Sequence, residues 1–383
     1  MPFLPFYVPS RSPPRIVVAG GGYAGMAALV DIHRHCPGAE LTLIDPGDHH
    51  CKITHLHEVF RPASAPLAVS YAVLARRFGF RHLRATLEID EHHLLQWQTE
   101  RAVEIDGEIL PFDYLLIATG AAVAKVDSAD DLLDLDDFGG DRLALTLARL
   151  NELGPDEPIT FIGGGATGVQ FLFELAHWLA ACGKSNPMRV IDAGDHVLPQ
   201  FTPALGEYVA SRMTDRGIEW LGDTRFAGFE NDHLRVENLT TGHTSRLGSG
   251  LTFSFVGKRP SARLDTNVFG QVVMASDTLT HLFSAGDCAA YRGIGSNAMT
   301  AQSAVRKGML CARNILRHSG ALKVLEPYVH RDLGYVISLG PHDAIGWLGL
   351  QANVVAGYPA VIVKDLVETQ HDLWLAGIDT YLI

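Results

Sequence analysis

Residues 159–175 read ITFIGGGATGVQFLFEL: a β-branched and aromatic run, a glycine turn, then an apolar segment long enough for a helix. Gly163, Gly165 and Gly168 stand in the G-x-G-x-x-G spacing, with Thr167 inside it, and Asp192 ends the next run, RVID at 189–192. The pattern has an earlier copy. Residues 15–30 read RIVVAGGGYAGMAALV, with Gly20, Gly22 and Gly25 in the same spacing, Tyr23 and Ala24 inside the turn, and Asp45 closing AELTLID at 39–45. Gly20 and Gly163 are 143 residues apart with unlike sequence between them, so this is a duplicated module and not a solenoid period. The alternation of strand and helix predicts an α/β chain with two Rossmann-like dinucleotide-binding domains.

Each motif position has a physical reason. The first glycine permits the tight turn, the second lets the backbone approach a pyrophosphate, and the third allows close packing of helix on strand. The helix N-terminus then offers oriented N–H groups and the positive end of its dipole to the anion. A carboxylate at the end of the second strand accepts hydrogen bonds from a ribose diol. At Asp192 it also repels a 2′-phosphate, which favours NADH over NADPH.

The chain has 383 residues, 47% hydrophobic and 19% charged, which fits two or three folded domains. A net charge of −12 argues against nucleic acid as a partner. The five cysteines (Cys36, Cys51, Cys182, Cys288, Cys311) form no C-x-x-C pair, and reduced cytoplasmic thiols are the expectation. The proline-rich start reads as an extended tail without a signal peptide. The uncharged stretch from Ala344 to Val363 holds Gln351, Asn353, Pro359 and three glycines, which argues against a spanning helix. Short strands are expected through ATLEIDEHH, LLQWQTE and AVEIDGEILPFDYLLIATG, a helix from about Met299 to His318, and a strand pair plus one amphipathic helix at the C-terminus. The seven aspartates from Asp127 to Asp141 read as a solvated linker or helix start.

Two dinucleotide sites in one chain imply two cofactors that exchange electrons. FDYLLIATGA (112–121) leads into a small-residue turn at Thr119 and Gly120, and LFSAGDCA (282–289) places Gly286 and Asp287 at a strand end, within reach of a ribityl hydroxyl. The ordered set of two glycine motifs, A-T-G and A-G-D resembles the two-dinucleotide-binding-domain flavoproteins. Within them the chain is most similar to type II NADH:quinone dehydrogenases and their ferroptosis-suppressor relatives, through DHHCKITHLHEV (48–59), TAQSAVRKG (300–308) and GYVISLGPHDAIGWLG (334–349). The resemblance implies FAD on the first motif and Asp287, NADH on the second with Gly257 on its closing strand, and quinone on the opposite flavin face. It divides the chain into a tail (1–14), an FAD-binding domain (15–121 and 252–335), an NAD(H)-binding domain (122–251) and a C-terminal region (336–383).

Three side chains are candidates for catalysis. A helix opening near Ala301 aims its amides at the flavin's pyrimidine edge, and Gln302 on it either donates to a quinone carbonyl or packs. Gln170 stands where the relatives usually carry glutamate between nicotinamide and flavin. Lys52 stands where they often carry an aromatic; it either sets a cation at the flavin edge or reaches solvent. No metal is expected: His55 and His57 point apart on strand or helix, which serves a single ion poorly. In residues 340–383, Asp343, Asp365, Glu368, Asp372 and Asp379 face Lys364 alone, whereas amphipathic helices that lie on lipid are usually basic. Peripheral attachment to the cytoplasmic membrane face, docking on the chain's own core and homodimer contact all stay open. The competing activities are a sulfide:quinone or flavocytochrome-type enzyme, whose relatives need two cysteines flanking the flavin, one of them within or near the second glycine motif where Ala166 and Thr167 stand here, a ferredoxin or rubredoxin reductase, and an NADH-responsive regulatory flavoprotein.

Overall fold

The β-branched run Arg15–Ala19 lies in the parallel part of an eight-stranded sheet. The computed structural model describes residues 3–10, 12–62, 66–125, 132–139, 142–231, 233–260, 262–378 and 380. Its helices are α1 (Tyr23–His35), α2 (Tyr71–Phe78), α3 (Glu91–Glu100), α4 (Arg142–Glu152), α5 (Ala166–Ala181), α6 (Pro203–Asp215), α7 (Ala301–Ser319) and α8 (Tyr358–Leu375). The strands of the large sheet run in the order 289–291, 264–266, 271–274, 277–284, 114–117, 15–19, 40–44 and 80–83. From 277–284 to 80–83 all neighbours are parallel. Side chains alternate as the pleat requires: Ile16 and Val18 join the core under α1 and α7, while Val17 and Ala19 face the opposite core with Leu94 and Trp97 of α3.

A second sheet is parallel throughout, in the order 132–133, 251–254, 159–162, 188–191 and 219–221. The chain passes between the sheets on two antiparallel strands, Ala122–Val123 and Lys258–Arg259. Strands of the large sheet therefore come from chain segments on both sides of the second sheet.

Local expectations fail in four places. ATLEIDEHH (85–93) holds no strand: residues 85–90 are irregular and 91–93 open α3. LLQWQTE is helical, part of α3: Asp90 caps it by accepting from the His93 N–H (2.8 Å), and Leu94 and Trp97 meet the core three residues apart. The C-terminal strand pair is a three-stranded antiparallel sheet (334–338, 344–348, 350–356), because Gly349 at φ +70° turns the chain back at once. The tail is anchored: Leu4 is buried, and Arg317 and the Ala321 N–H donate to the Pro5 and Val8 carbonyls. Of the acidic run, Asp134 caps a turn at Leu135–Phe138, while Asp127, Asp130, Asp131 and Asp141 lie outside the described residues.

The C-terminal region joins both halves. Ile337, Leu339, Ile345 and Trp347 of its sheet share a core with Phe171 and Leu172 of α5, whereas Trp374 at the end of α8 is fully buried in the core under α1 and α7. Burial of an aromatic this size contributes on the order of 3 kcal/mol.

Candidate functional site

The two glycine turns obey the same geometry. Gly20 (φ +102°) and Gly163 (φ +105°) occupy conformations that favour glycine, and a Cβ on either would strike a backbone carbonyl, of Ala118 or of Phe255. Gly25 and Gly168 sit one helical turn in, where a Cβ would strike the carbonyl of Gly20 or Gly163. At Gly22 a Cβ would meet nothing within 4 Å, so the turn faces open space there, as the approach of a phosphate group requires.

Each turn is clamped by its acid. Asp45 accepts from the Gly21 and Gly47 N–H groups at 2.7 and 2.8 Å. Asp192 accepts from those of Gly164 and Gly194 at 2.6 and 2.7 Å. One lone pair per oxygen is thereby used, and the others remain for hydroxyls. Ala24 earns its small size by packing: a Cβ on Gly286 would lie 3.1 Å from its own, and one on Gly308 would strike its carbonyl, which brings α7 directly against the first turn.

Around this first turn, Tyr23 bonds the Thr54 hydroxyl (2.8 Å) and packs edge-on against His50. His50 is fully buried with Nδ1 on the Gly21 carbonyl (2.9 Å), and its Nε2 finds no hydrogen-bond partner among the described residues. Burial holds His50 below the usual histidine range and pushes the neighbouring His371 down to about 3. Asp287 stands at its strand end with its carboxyl raised by burial, opposed by the charges of Lys258 and Lys307. Thr119 is exposed beside Gly120 (φ +71°), and Gly257 (φ +95°) lies exposed beside the crossover strand. Glycine turns with open approach, orphaned polar atoms and an unneutralised acid suit a bound dinucleotide.

The candidate catalytic residues divide. Gln170, in the first turns of α5, accepts from the Ser338 N–H (3.3 Å), which leaves its NH₂ group as donor. Gln302 follows Ala301 in the first turn of α7, which Thr300 caps by accepting from the Ser303 N–H (3.1 Å). Thr167 is exposed on the first turn of α5. Lys52 does not reach solvent: it is 4% exposed and pairs with Asp372 of α8 at 2.7 Å.

A charged network that local spacing does not reveal lies beside Gln170. Glu174, one turn further along α5 and 1% exposed, is held by Arg61 through two nitrogens and by the Ser338 hydroxyl (3.3 Å). Arg61 also reaches Glu58 (3.2 Å), and Lys364 of α8 bonds both Glu58 and Glu368 at 2.7 Å. Burial alone would push the Glu58 carboxyl up, but His55, Lys364 and Arg61 hold it below the carboxylate range. His55, Glu58 and Glu368 bring donor atoms within 4.8 Å of one another, yet the Lys364 ammonium already supplies the cation between the two carboxylates. His57 faces Phe171 instead. The sequence signal was a carboxylate inside the apolar run QFLFEL, which demands a buried cation.

The pyridine nucleotide-disulphide oxidoreductase family model matches residues 14–308. The type II NADH:quinone oxidoreductase of Staphylococcus aureus (strain NCTC 8325 / PS 47) is 25% identical over 402 aligned residues, covering 95% of this chain and 96% of that protein. Among solved structures, NDH2 from Plasmodium falciparum in complex with NADH has a TM-score of 0.75 at 15% identity, covering 93% of this chain and 94% of its own. The sulfide:quinone oxidoreductase from Aquifex aeolicus has a TM-score of 0.74 at 18% identity, covering 94% and 91%. Both share the fold.

Proposed function

The chain belongs to the pyridine nucleotide-disulphide oxidoreductase family, and we propose that it is an FAD-dependent NADH dehydrogenase that passes electrons to a quinone. The observation that carries this reading is the pair of equivalent clamped glycine turns on two sheets, one for each dinucleotide. FAD is assigned to Gly20, Gly22, Tyr23, Ala24, Gly25, Asp45, Thr119, Gly120, Gly286, Asp287 and Ala301. NADH is assigned to Gly163, Gly165, Thr167, Gly168, Asp192 and Gly257. Gln170 then offers its NH₂ group toward the nicotinamide, and Gln302 stands at the acceptor end of α7. FAD, when bound, accepts a hydride and returns the electrons; the protein's part is to hold donor and acceptor at reacting distance.

Anaerobic mixing with NADH is expected to bleach the bound flavin within seconds, and a ubiquinone or menaquinone analogue to restore its colour. A bound flavin that stays oxidised would overturn the donor assignment; recolouring by ferredoxin alone would overturn the acceptor. A sulfide-driven reaction has little support, since Ala166 and Thr167 occupy the second turn and all five cysteines are free.

The acceptor reading extends to a peripheral membrane surface. Among the described residues no helix is long and apolar enough to cross a bilayer. Tyr358, Ile362 and Leu366, one helical turn apart on α8, are exposed with Val367, and Leu350 on the adjacent sheet is 68% exposed. Three of the five acids are paired within the protein, Glu368 with Lys364, Asp372 with Lys52 and Asp343 with Arg212, while Asp365 is exposed beside Leu366 and Asp379 lies outside the described residues. Co-sedimentation with phosphatidylcholine–phosphatidylglycerol vesicles is expected, and Leu366→Glu should weaken it at least fivefold. Equal sedimentation of the variant, or a dimer that ignores vesicles, would overturn this surface.

A further inference from the structure

Lys307 lies in the second turn of α7 and is 1% exposed, an unusual place for an ammonium group. Its Nζ donates to the Ala289 carbonyl at 2.9 Å, to Asn297 Oδ1 at 3.2 Å and, more weakly, to the Gly286 carbonyl at 3.5 Å. The Tyr291 ring lies 5.0 Å away, with its face toward the ammonium. These partners satisfy the N–H groups but carry no full negative charge, and no ion pair to Lys307 occurs among the described residues. The acid whose charge acts on it most is Asp287, in the turn it grips.

A buried cation is costly unless something negative shares its surroundings. Lys307 also has a geometric effect. The Gly286 carbonyl and the Asp287 N–H belong to one planar trans peptide, so drawing the oxygen toward Lys307 turns the N–H the opposite way. Gly286 at φ +83° permits that orientation, and Gly308, one residue after Lys307, brings α7 close enough for the reach.

We propose that Lys307 is a positioning residue of the flavin site: it fixes the Gly286–Ala289 turn that presents Asp287, and places a buried positive charge behind it that favours the reduced flavin. The proposal rests on the FAD assignment above. Reduction adds negative charge to the flavin, and a cation in a low-dielectric surrounding stabilises that charge more than it stabilises the neutral oxidised form. The capped N-terminus of α7 acts in the same sense.

The test compares Lys307→Gln, which keeps a donor but no charge, with Lys307→Met, which keeps only the length. Flavin-free protein is titrated with FAD, and the midpoint potential is measured by dye equilibration. Both variants should bind oxidised FAD about three- to tenfold more weakly. They should bind reduced FAD a further tenfold more weakly, a midpoint about 30 mV more negative for a two-electron couple. Wild-type affinity and potential in Lys307→Gln would overturn the proposal, and that variant decides if Lys307→Met does not fold. A shift confined to Lys307→Met would overturn the role of the charge. A wild-type chain that binds no FAD would overturn the functional reading itself, which keeps the two failures apart.

Discussion

Gly168→Val is expected to abolish flavin reduction by NADH while leaving the flavin bound. A Cβ at residue 168 would strike the Gly163 carbonyl and lie 3.4 Å from Phe255 Cβ, and valine adds two further carbons. The obstacle is backbone, so no rotamer relieves it, and α5 must move off strand 159–162. That movement pulls on the Gly163 N–H bond to Ile191 (2.9 Å) and on the Asp192 clamp of Gly164, the two contacts that shape the turn. The dissociation constant for NADH should rise at least ~100-fold, about 2.7 kcal/mol. Flavin content should stay near that of the wild type, because the first turn lies on the other sheet. Gly25→Val is the reciprocal control: its Cβ strikes the Gly20 carbonyl, and flavin should be lost. A Gly168→Val protein with unchanged NADH affinity would remove the second turn from the donor site.

These turns were legible because their requirements are local. Spacing, strand, helix and acid all fall within about 30 residues, and Gly20, Gly25, Gly163 and Gly168 each answer a clash with backbone only a few residues away or on a neighbouring strand. LLQWQTE was misread because its polar and apolar residues also fit a strand; what decides for the helix is the Asp90 cap and the shared face of Leu94 and Trp97. The charged network was out of reach for another reason. Glu58 and Lys364 are 306 residues apart in sequence, and Arg61 and Glu174 are 113 apart, so no local spacing joins them. α8 was ambiguous for the same reason. Its acids read as one exposed polar face until Lys52 and Lys364 are seen to take Asp372 and Glu368, which leaves the apolar stripe outside with Asp365 alone exposed beside it on that helix.

Arg61→Met should be the most destabilising single change in that network. Arg61 is the only side-chain cation bonded to Glu174 among the described residues, and Glu174 is 1% exposed; without it the carboxylate keeps only the Ser338 hydroxyl. Breaking one side of a buried pair costs about 3–5 kcal/mol, because the surviving charge stays desolvated. Glu58 suffers less, since Lys364 still bonds it at 2.7 Å. The loss should appear as a lower urea midpoint for the flavin-free protein. Adding Glu174→Gln should restore more than half of it, by removing the stranded charge and not by making a new contact. The damage should also reach the donor site. Ser338 bonds Glu174 through its hydroxyl and Gln170 through its N–H, so a displaced Ser338 frees the Gln170 amide to rotate. NADH affinity should therefore fall severalfold in Arg61→Met and recover in the double variant together with stability. A loss under about 1 kcal/mol, or a double variant no better than the single, would mean that the Arg61–Glu174 pair is not what holds α5 against the C-terminal sheet.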